Sequence, residues 1–167
     1  MKKLTLKFNL NWYTILIYVA IVTLLIVIDQ LTKYWAFKHL PMDKEIYCLK
    51  PLFKFSLLTN DGGMFNFLAG HFTLFYIFTG IGLIIFTFML NFSSFSKYPF
   101  YTIGLLMMIA GTIGNFIDRI RFSEVRDFLT FGFFSFASFN FADMCMTCGI
   151  ICLAIDILFT DVGGIWK

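Results

Sequence analysis

Four long apolar runs constrain what this chain can fold into. A helix needs about 20 apolar residues to cross about 30 Å of hydrocarbon, and suitable runs lie at about 8–28, 72–90, 98–117 and 141–159. Hydrophobic residues make up 59% of the 167-residue chain and charged residues only 14%, so a soluble globule of this size could not bury them. The sequence therefore predicts an integral membrane protein with four transmembrane helices.

The charged residues exclude some classes of protein and leave the orientation of the chain in the membrane open. A net charge of +3 with no dense basic face argues against a nucleic-acid-binding module. Lysines precede the first run as in a signal peptide, but the run is too long and no small-residue cleavage site follows it, so we expect it to be retained. Basic residues fall on both sides of the membrane, so the positive-inside rule does not choose an orientation.

The connections between helices predict a small cap containing β-structure. Apolar and polar residues alternate at 53–57, which is typical of a strand, and a second strand is expected at 128–136. Residues 64–69 suit a short interfacial helix. The fold class is thus all-α integral membrane, a single domain over 1–167, with a cap formed by about 34–71 and 118–140.

The unusual polar residues gather on one side of this predicted bundle. With four crossings, the ends of helices 1 and 3 and the starts of helices 2 and 4 lie at the same face. Ionisable groups at such places are costly, so a one-sided cluster indicates a functional site. Its members are Asp29, Thr32, Lys33, Asn60, Asp61, Asn115, Asp118, Arg119, Asp127, Asn140 and Asp143.

Several of these groups also have purely structural interpretations. Asp29 and Lys33 have the i, i+4 spacing of a helical ion pair, and Asp118 with Arg119 suggests another ion pair. Asn140 and Asp143 suit the cap of helix 4. The glycines of helix 3 suit close helix packing; they are Gly104, Gly111 and Gly114.

The cysteines predict no metal site and no disulfide framework. Cys145, Cys148 and Cys152 share one helical face, where small thiols are expected to pack between helices. Zinc would require further ligands nearby, and Cys48 lies far away in the sequence.

Converging aspartates permit two kinds of function. Two close carboxylates in a low-dielectric site share a proton, so one can deprotonate a water while the other protonates a carbonyl oxygen or a leaving amine. The chemistry is then peptide hydrolysis without a covalent intermediate. The alternative is a small membrane ion or proton transporter, because carboxylates in membranes also mark proton relays.

Five motifs, in order, carry a family resemblance over nearly the whole chain. They are DQLTK at 29–33, NDG at 60–62, GTIGNFIDR at 111–119, VRDF at 125–128 and FNFAD at 139–143. With these motifs on four predicted helices, the sequence resembles bacterial lipoprotein signal peptidase, also called signal peptidase II.

The resemblance implies an aspartic endopeptidase that cuts prolipoproteins just before their diacylglyceryl-modified cysteine. It implies that Asp127 and Asp143 form the catalytic dyad. It also implies a set of supporting or substrate-orienting residues, which are Asp29, Lys33, Asn60, Gly62, Asn115, Asp118, Arg119 and Asn140.

The resemblance further implies a multi-pass protein of the bacterial plasma (inner) membrane. Both termini would be cytoplasmic and the active site would lie on the extracytoplasmic side. The expected partners are lipidated prolipoproteins and membrane lipid, with no nucleic acid, no cofactor and no metal, and the expected state is a monomer.

The sequence departs from the family pattern at two places. Gly63 and Met64 stand before Phe65, where the family usually has two alanines before an aromatic. Arg126 precedes Asp127, where the family usually has an apolar residue. Because side chains alternate along a strand, we expect Arg126 to point away from Asp127.

Overall fold

Four helices and a three-stranded sheet make up the described part of the chain. The computed structural model describes residues 11–42, 44–60, 72–134 and 136–159. In chain order the elements are α1 (Trp12–His39), β1 (Ile46–Leu49), β2 (Phe53–Asn60), α2 (Phe72–Leu90), α3 (Pro99–Phe122), β3 (Val125–Phe131) and α4 (Phe141–Phe159). All four helices are long and apolar enough to cross a membrane, which confirms the predicted fold class.

Helix α3 lies at the centre of the bundle. It contacts α1, α2 and α4, and more of its surface is buried than that of any other helix described here. The outer helices present large apolar side chains to their surroundings, such as Ile84 and Leu158. A surface of this kind suits lipid rather than water.

Helix α1 ends later than its charge-free run predicts. The predicted segment stops at residue 28, whereas the helix continues to His39. The charges at its end do not stop it, because Lys33 Nζ lies 2.9 Å from Asp29 Oδ2 and both side chains are buried in the bundle. Helix α3 likewise passes residue 117 and ends at Phe122, where Ser123 adopts a left-handed conformation with φ of 60°.

The sheet is antiparallel, with β2 between β1 and β3. The strand expected at 53–57 lies within β2. The strand expected at 128–136 starts earlier and ends earlier, so Asp127 lies on β3 instead of before it. Strand β1 was not predicted, and the helix expected at 64–69 lies outside the described residues.

Helices α3 and α4 approach closely through glycine. A Cβ on Gly104 would lie 2.8 Å from the carbonyl oxygen of Gly149, and a Cβ on Gly149 would lie 2.8 Å from that of Gly104. Gly114 has a similar role against α1, because its Cβ would lie 2.7 Å from Asp29 Oδ2. The packing interpretation of these glycines is therefore confirmed.

The cysteines are all free, and they pack less uniformly than expected. Cys145 is buried and Cys152 half-buried, but Cys148 is exposed. The expectation that all three thiols pack between helices is therefore wrong for Cys148, although it shares the i, i+3 spacing with the buried Cys145.

Candidate active site

Asp143 lies in the first turn of α4 and takes part in its cap. The backbone N–H of Asp143 donates to Asn140 Oδ1 at 3.0 Å, and the backbone N–H of Asn140 donates to Asp143 Oδ2 at 3.0 Å. This reciprocal arrangement is a capping box, as the sequence predicted. It fixes the Asp143 carboxylate at the end of the helix.

Asp127 is brought to the same place by β3. Its side chain is buried, and its Oδ1 accepts a hydrogen bond from Asn140 Nδ2 at 2.7 Å. Asn115 on α3 donates through Nδ2 to Asp143 Oδ1 at 2.8 Å. The two amides also contact each other, with Asn140 Nδ2 donating to Asn115 Oδ1 at 3.1 Å. Two carboxylates are thus held by a shared pair of amides.

Both carboxylates line a cleft of about 300 Å³. Arg119 also lines it, with its guanidinium carbon 4.2 Å from the centre of the Phe75 ring. The walls come from α2, α3, α4 and the sheet. The lining residues are Asn60, Phe75, Thr79, Thr112, Asn115, Arg119, Val125, Asp127, Asp143 and Met146.

The environment of Asp127 makes its carboxyl group a proton carrier near neutral pH. Burial, followed by the nearby charge of Asp143, raises the pKa of Asp127 from 3.8 to about 7. Hydrogen bonds from Asn140 and Asn60 and the charge of Lys33 act in the opposite direction. A pair of carboxylates with separated environments is the arrangement that supplies one acid and one base.

Lys33 connects this site to a buried charged layer behind it. Its Nζ lies 2.9 Å from Asp29 Oδ2, donates to Asn115 Oδ1 at 3.0 Å, and lies 3.5 Å from Asp118 Oδ2. Asp29 Oδ1 accepts the backbone N–H of Ala142 at 2.9 Å. The predicted Asp29–Lys33 ion pair is confirmed, and it ties the start of α4 to α1.

The predicted ion pair between Asp118 and Arg119 is wrong. Asp118 instead binds Arg126, with 2.8 Å between Asp118 Oδ1 and Arg126 Nη2, and it faces Lys33. Successive residues on a helix do not face each other, so Asp118 turns into the buried layer while Arg119 turns to the cleft. Arg126 points away from Asp127, as the alternation of a strand predicted.

The structure therefore divides the sequence-predicted residues into two layers. Asn60, Asn115, Arg119, Asp127 and Asp143 line the cleft, whereas Asp29, Lys33, Asp118 and Asn140 are buried behind it or between the carboxylates. Gly62 lies outside the described residues.

Sequence reasoning missed most of the uncharged lining. Thr112, Asn115 and Arg119 have i, i+3, i+7 spacing, so the helical face of Asn115 could have identified Thr112. Phe75, Thr79 and Met146 carry no such signal, because they resemble any other residue of an apolar helix. Within the described ranges, His, Cys, Asp and Glu form no group of three or more able to hold a metal.

Comparison with known proteins decides the family. The sequence profile of signal peptidase (SPase) II matches residues 21–159. The chain belongs to the signal peptidase II family. The resemblance seen in the five motifs is thereby confirmed, and the chain is a multi-pass membrane protein of a protease family.

Relatives and solved structures of similar length support this assignment. The lipoprotein signal peptidase of Lactiplantibacillus plantarum is 35% identical over 145 residues, covering 87% of this chain and 96% of that protein. The lipoprotein signal peptidase of Streptococcus agalactiae serotype V is 38% identical over 153 residues, covering 89% and 96%. A bacterial membrane enzyme solved by the in meso method at 2.3 Å resolution superposes with a TM-score of 0.76 at 28% identity, covering 88% of this chain and 90% of that one.

Proposed function

We propose that this chain is a membrane aspartic endopeptidase that removes the signal peptide of diacylglyceryl-modified prolipoproteins just before the lipidated cysteine. The observation that carries the proposal is the pair Asp127 and Asp143, held by two shared amides on the wall of one cleft. Membership of the signal peptidase II family and the name of the relatives, lipoprotein signal peptidase, supply the substrate class.

The hydrogen bonds suggest how the two carboxylates divide the chemistry. Both oxygens of Asp143 accept N–H donors, from Asn115 and from the Asn140 backbone, and such bonds favour a carboxylate anion. Asp127, with its pKa raised to about 7, is the resting proton carrier. We therefore assign Asp143 as the base and Asp127 as the acid at the start of the reaction.

The reaction needs no covalent intermediate and no cofactor or metal. Asp143 takes a proton from water as the water oxygen attacks the peptide carbonyl carbon, and Asp127 gives its proton to the carbonyl oxygen. The tetrahedral intermediate then collapses. As the C–N bond breaks, the leaving amine takes the proton from Asp143, and a hydroxyl of the intermediate returns a proton to Asp127.

The cleft wall supports binding of a substrate that stays in the bilayer. The cleft places the Arg119 guanidinium where a peptide backbone would lie, while Phe75 and Met146 present apolar surface. The buried layer of Asp29, Lys33, Asp118 and Asn140 holds these groups in place. Acyl chains can remain among the helices while the peptide reaches Asp127 and Asp143 under the sheet.

We place the protein in the bacterial plasma (inner) membrane as a monomer in contact with lipid, with the cap on the extracytoplasmic side. The cap is rich in exposed aromatic residues such as Phe133 and Phe134, which suit a membrane interface.

The transporter alternative requires a polar path across the whole bundle. Asp156 is a buried carboxylate of α4, but it lies about 20 Å along the helix from Asp143. The residues of α4 between them are uncharged. The arrangement favours a site at one face over a path between two.

The test is cleavage of a lipidated prolipoprotein peptide by purified protein in detergent, beside the same peptide without lipid. We expect cleavage of the lipidated peptide only, and loss of about three or more orders of magnitude of turnover in Asp127→Asn and in Asp143→Asn, as for other essential catalytic groups. Asp156→Asn removes a buried carboxylate at the other end of α4, and it should retain turnover.

Two outcomes would contradict the proposal. One is ion or proton flux by reconstituted protein that leaves prolipoprotein uncut. The other is near wild-type cleavage by a well-folded Asp127→Asn protein, which would exclude Asp127 from the dyad.

A further inference from the structure

Arg126 makes an unusually complete set of contacts on the side of β3 that faces away from the cleft. Its Nη2 lies 2.8 Å from Asp118 Oδ1, its Nε donates to Asp118 Oδ2 at 3.2 Å, and its backbone N–H donates to the same oxygen at 3.1 Å. Its guanidinium carbon lies 4.6 Å from the centre of the Phe122 ring. A two-pronged arginine–carboxylate pair of this kind fixes both direction and distance.

Gln30 links this pair to α1. Its Oε1 accepts from Arg126 Nη2 at 3.3 Å, and its Nε2 lies within 3.2 Å of Asp118 Oδ1 and 3.0 Å of Asp29 Oδ2. Strand β3, α3 and α1 are therefore joined through one residue. The residue that follows Arg126 on the strand is Asp127.

The charges of this buried layer balance only when Arg126 is counted. Asp29 and Asp118 contribute two negative charges, and Lys33 and Arg126 contribute two positive charges. Lys33 Nζ lies closer to Asp29 and to Asn115 Oδ1, at 2.9 and 3.0 Å, than to Asp118, at 3.5 Å. Without Arg126, the fully buried Asp118 would depend on Lys33 alone, and an uncompensated buried charge is strongly unfavourable.

We propose that Arg126 is a positioning residue for the reaction: it neutralises Asp118, so that Lys33 can remain on Asn115, the amide that holds Asp143. The same contacts hold β3 so that Asp127 enters the cleft from the other side of the strand. This inference rests on the proposed function, and Arg126 itself does not line the cleft.

We expect the charge of Arg126 to act on the protonation of Asp127 as well, through the net charge of the buried layer. The other charged groups near the two carboxylates are Lys33 and Asp29 from α1 and Asp118 and Arg119 from α3, while β2 contributes the neutral Asn60. Near Arg119, α2 contributes Tyr76. Removing Arg126 leaves one net negative charge in the buried layer, which favours the protonated form of Asp127 and raises its pKa.

The experiment compares Arg126→Met, Arg126→Lys and the charge-balanced double variant Asp118→Asn/Arg126→Met. We expect Arg126→Met to lower kcat about tenfold or more with KM within about twofold, since the residue acts away from the bound peptide. The reaction requires a protonated Asp127, so a higher pKa of Asp127 extends activity to higher pH. The alkaline limb of the pH–rate profile of Arg126→Met should therefore move to higher pH by about half a pH unit or more.

The other variants separate charge from geometry. Arg126→Lys keeps the charge but not the two-pronged contact, so its alkaline limb should stay near that of the wild type while kcat falls. The double variant should also have an alkaline limb near that of the wild type, since the remaining charges of Asp29 and Lys33 then neutralise each other. Arg121→Met is the matched control: Arg121 is exposed beside the same Phe122 ring, and this variant should behave as wild type.

A readout without turnover keeps this inference separate from the proposed function. The protonation of the Asp127 carboxyl is followed by infrared spectroscopy over a range of pH. The spectrum of the Asp127→Asn variant is subtracted to isolate this carboxyl, once in the wild-type background and once in the Arg126→Met background. A higher midpoint in Arg126→Met supports the inference even if no peptide is cut.

If Arg126→Met fails to fold, the charge-balanced double variant is compared with Asp118→Asn alone, and equal midpoints in those two proteins would overturn the inference. Unchanged kcat, limb and midpoint in a folded Arg126→Met would also overturn it.

Discussion

At the scale of single residues, the two carboxylates of the cleft differ in what holds them. Asp143 is bound through both oxygens by N–H donors from the cap and from Asn115. Asp127 sits on a strand, buried and close to the charge of Asp143, and these two causes raise its pKa to about 7. An acid of this kind binds more protons in the folded protein than in the unfolded chain.

The raised pKa of Asp127 predicts how stability varies with pH. Between its ordinary pKa of 3.8 and its folded value of about 7, the folded state binds more protons, so stability must decrease as the pH rises through this window. Asp127→Asn has no such group. We expect the wild-type Tm to fall more between pH 5 and pH 8 than the Tm of Asp127→Asn, both measured in the same detergent.

A control for this prediction is available in the same helix bundle. Arg121→Met should keep the wild-type slope of Tm with pH across the window, since it changes an exposed residue that stays charged at these pH values and leaves Asp127 in place. If Tm fell with pH equally in the wild type and in Asp127→Asn, the pKa of Asp127 in the folded protein would lie near its ordinary value, contrary to this prediction.

Asp118 is buried and charged, but its contacts indicate structure rather than proton exchange. Arg126 and Lys33 both bind its carboxylate, and a group fixed between two cations is poorly suited to exchanging a proton. Asp118→Asn should therefore lower the Tm and retain measurable turnover, whereas Asp127→Asn keeps its fold and loses turnover. Single-turnover cleavage beside a melting curve for each variant measures both, and a stable but inactive Asp118→Asn would reverse the assignment.

Residue-level prediction from the sequence depended on whether partners lie close in the chain. The Asp29–Lys33 pair and the Asn140–Asp143 cap were predictable, because helix geometry fixes contacts at i, i+4 and i, i+3. The true partner of Asp118 was not, because Arg126 lies on the following strand and the choice between Arg119 and Arg126 depends on tertiary packing. Placing Asp127 and Asp143 in one cleft required the family motifs as well as the topology.

At the scale of helices and strands, the apolar pattern predicted which helices exist better than it predicted where they end. Charge-free runs identified all four helices, yet α1 continues to His39 because Asp29 and Lys33 neutralise each other inside the bundle. Strand β1 escaped prediction because all four of its residues are exposed, so no buried face imposes an alternating pattern.

The contact between α3 and α4 predicts which glycines tolerate a methyl group. Gly104 and Gly149 each place their Cα against the other helix backbone, and a methyl carbon added to either would lie 2.8 Å from the facing carbonyl oxygen. Gly104→Ala and Gly149→Ala should separate the helices and lower the Tm. Gly80 in α2 has open space around it, so Gly80→Ala should leave the Tm unchanged or raise it slightly, since alanine favours a helix by about 1 kcal/mol over glycine.

Melting curves of the three glycine variants in one detergent test this contrast. Because Asn115 on α3 and Asp143 on α4 must stay within hydrogen-bond distance, Gly104→Ala and Gly149→Ala should also lose turnover. If Gly104→Ala and Gly149→Ala had the same Tm as Gly80→Ala, the distance between α3 and α4 would not be set by glycine.

At the scale of the whole molecule, the sheet and the cleft belong to the same end of the bundle. Strand β3 carries Asp127 and pairs with β2, which pairs in turn with β1. The side of the membrane on which β1 lies is therefore also the side on which Asp127 and Asp143 lie. Counting basic residues could not choose that side, since they are divided between both faces.

Cys48 on β1 provides a native reporter of this orientation. It is free and exposed, and it lies outside the helices that suit the membrane. Of the other cysteines, Cys145 is buried, while Cys148 and Cys152 belong to the apolar α4, where a charged reagent in water does not reach. A membrane-impermeant maleimide added to intact bacterial spheroplasts should therefore label Cys48 if the cap is extracytoplasmic, as proposed. Cys48→Ser should abolish that labelling, and lysed spheroplasts should show no further increase in the wild type. Labelling that appears only after lysis would place the sheet, and with it Asp127 and Asp143, on the cytoplasmic side.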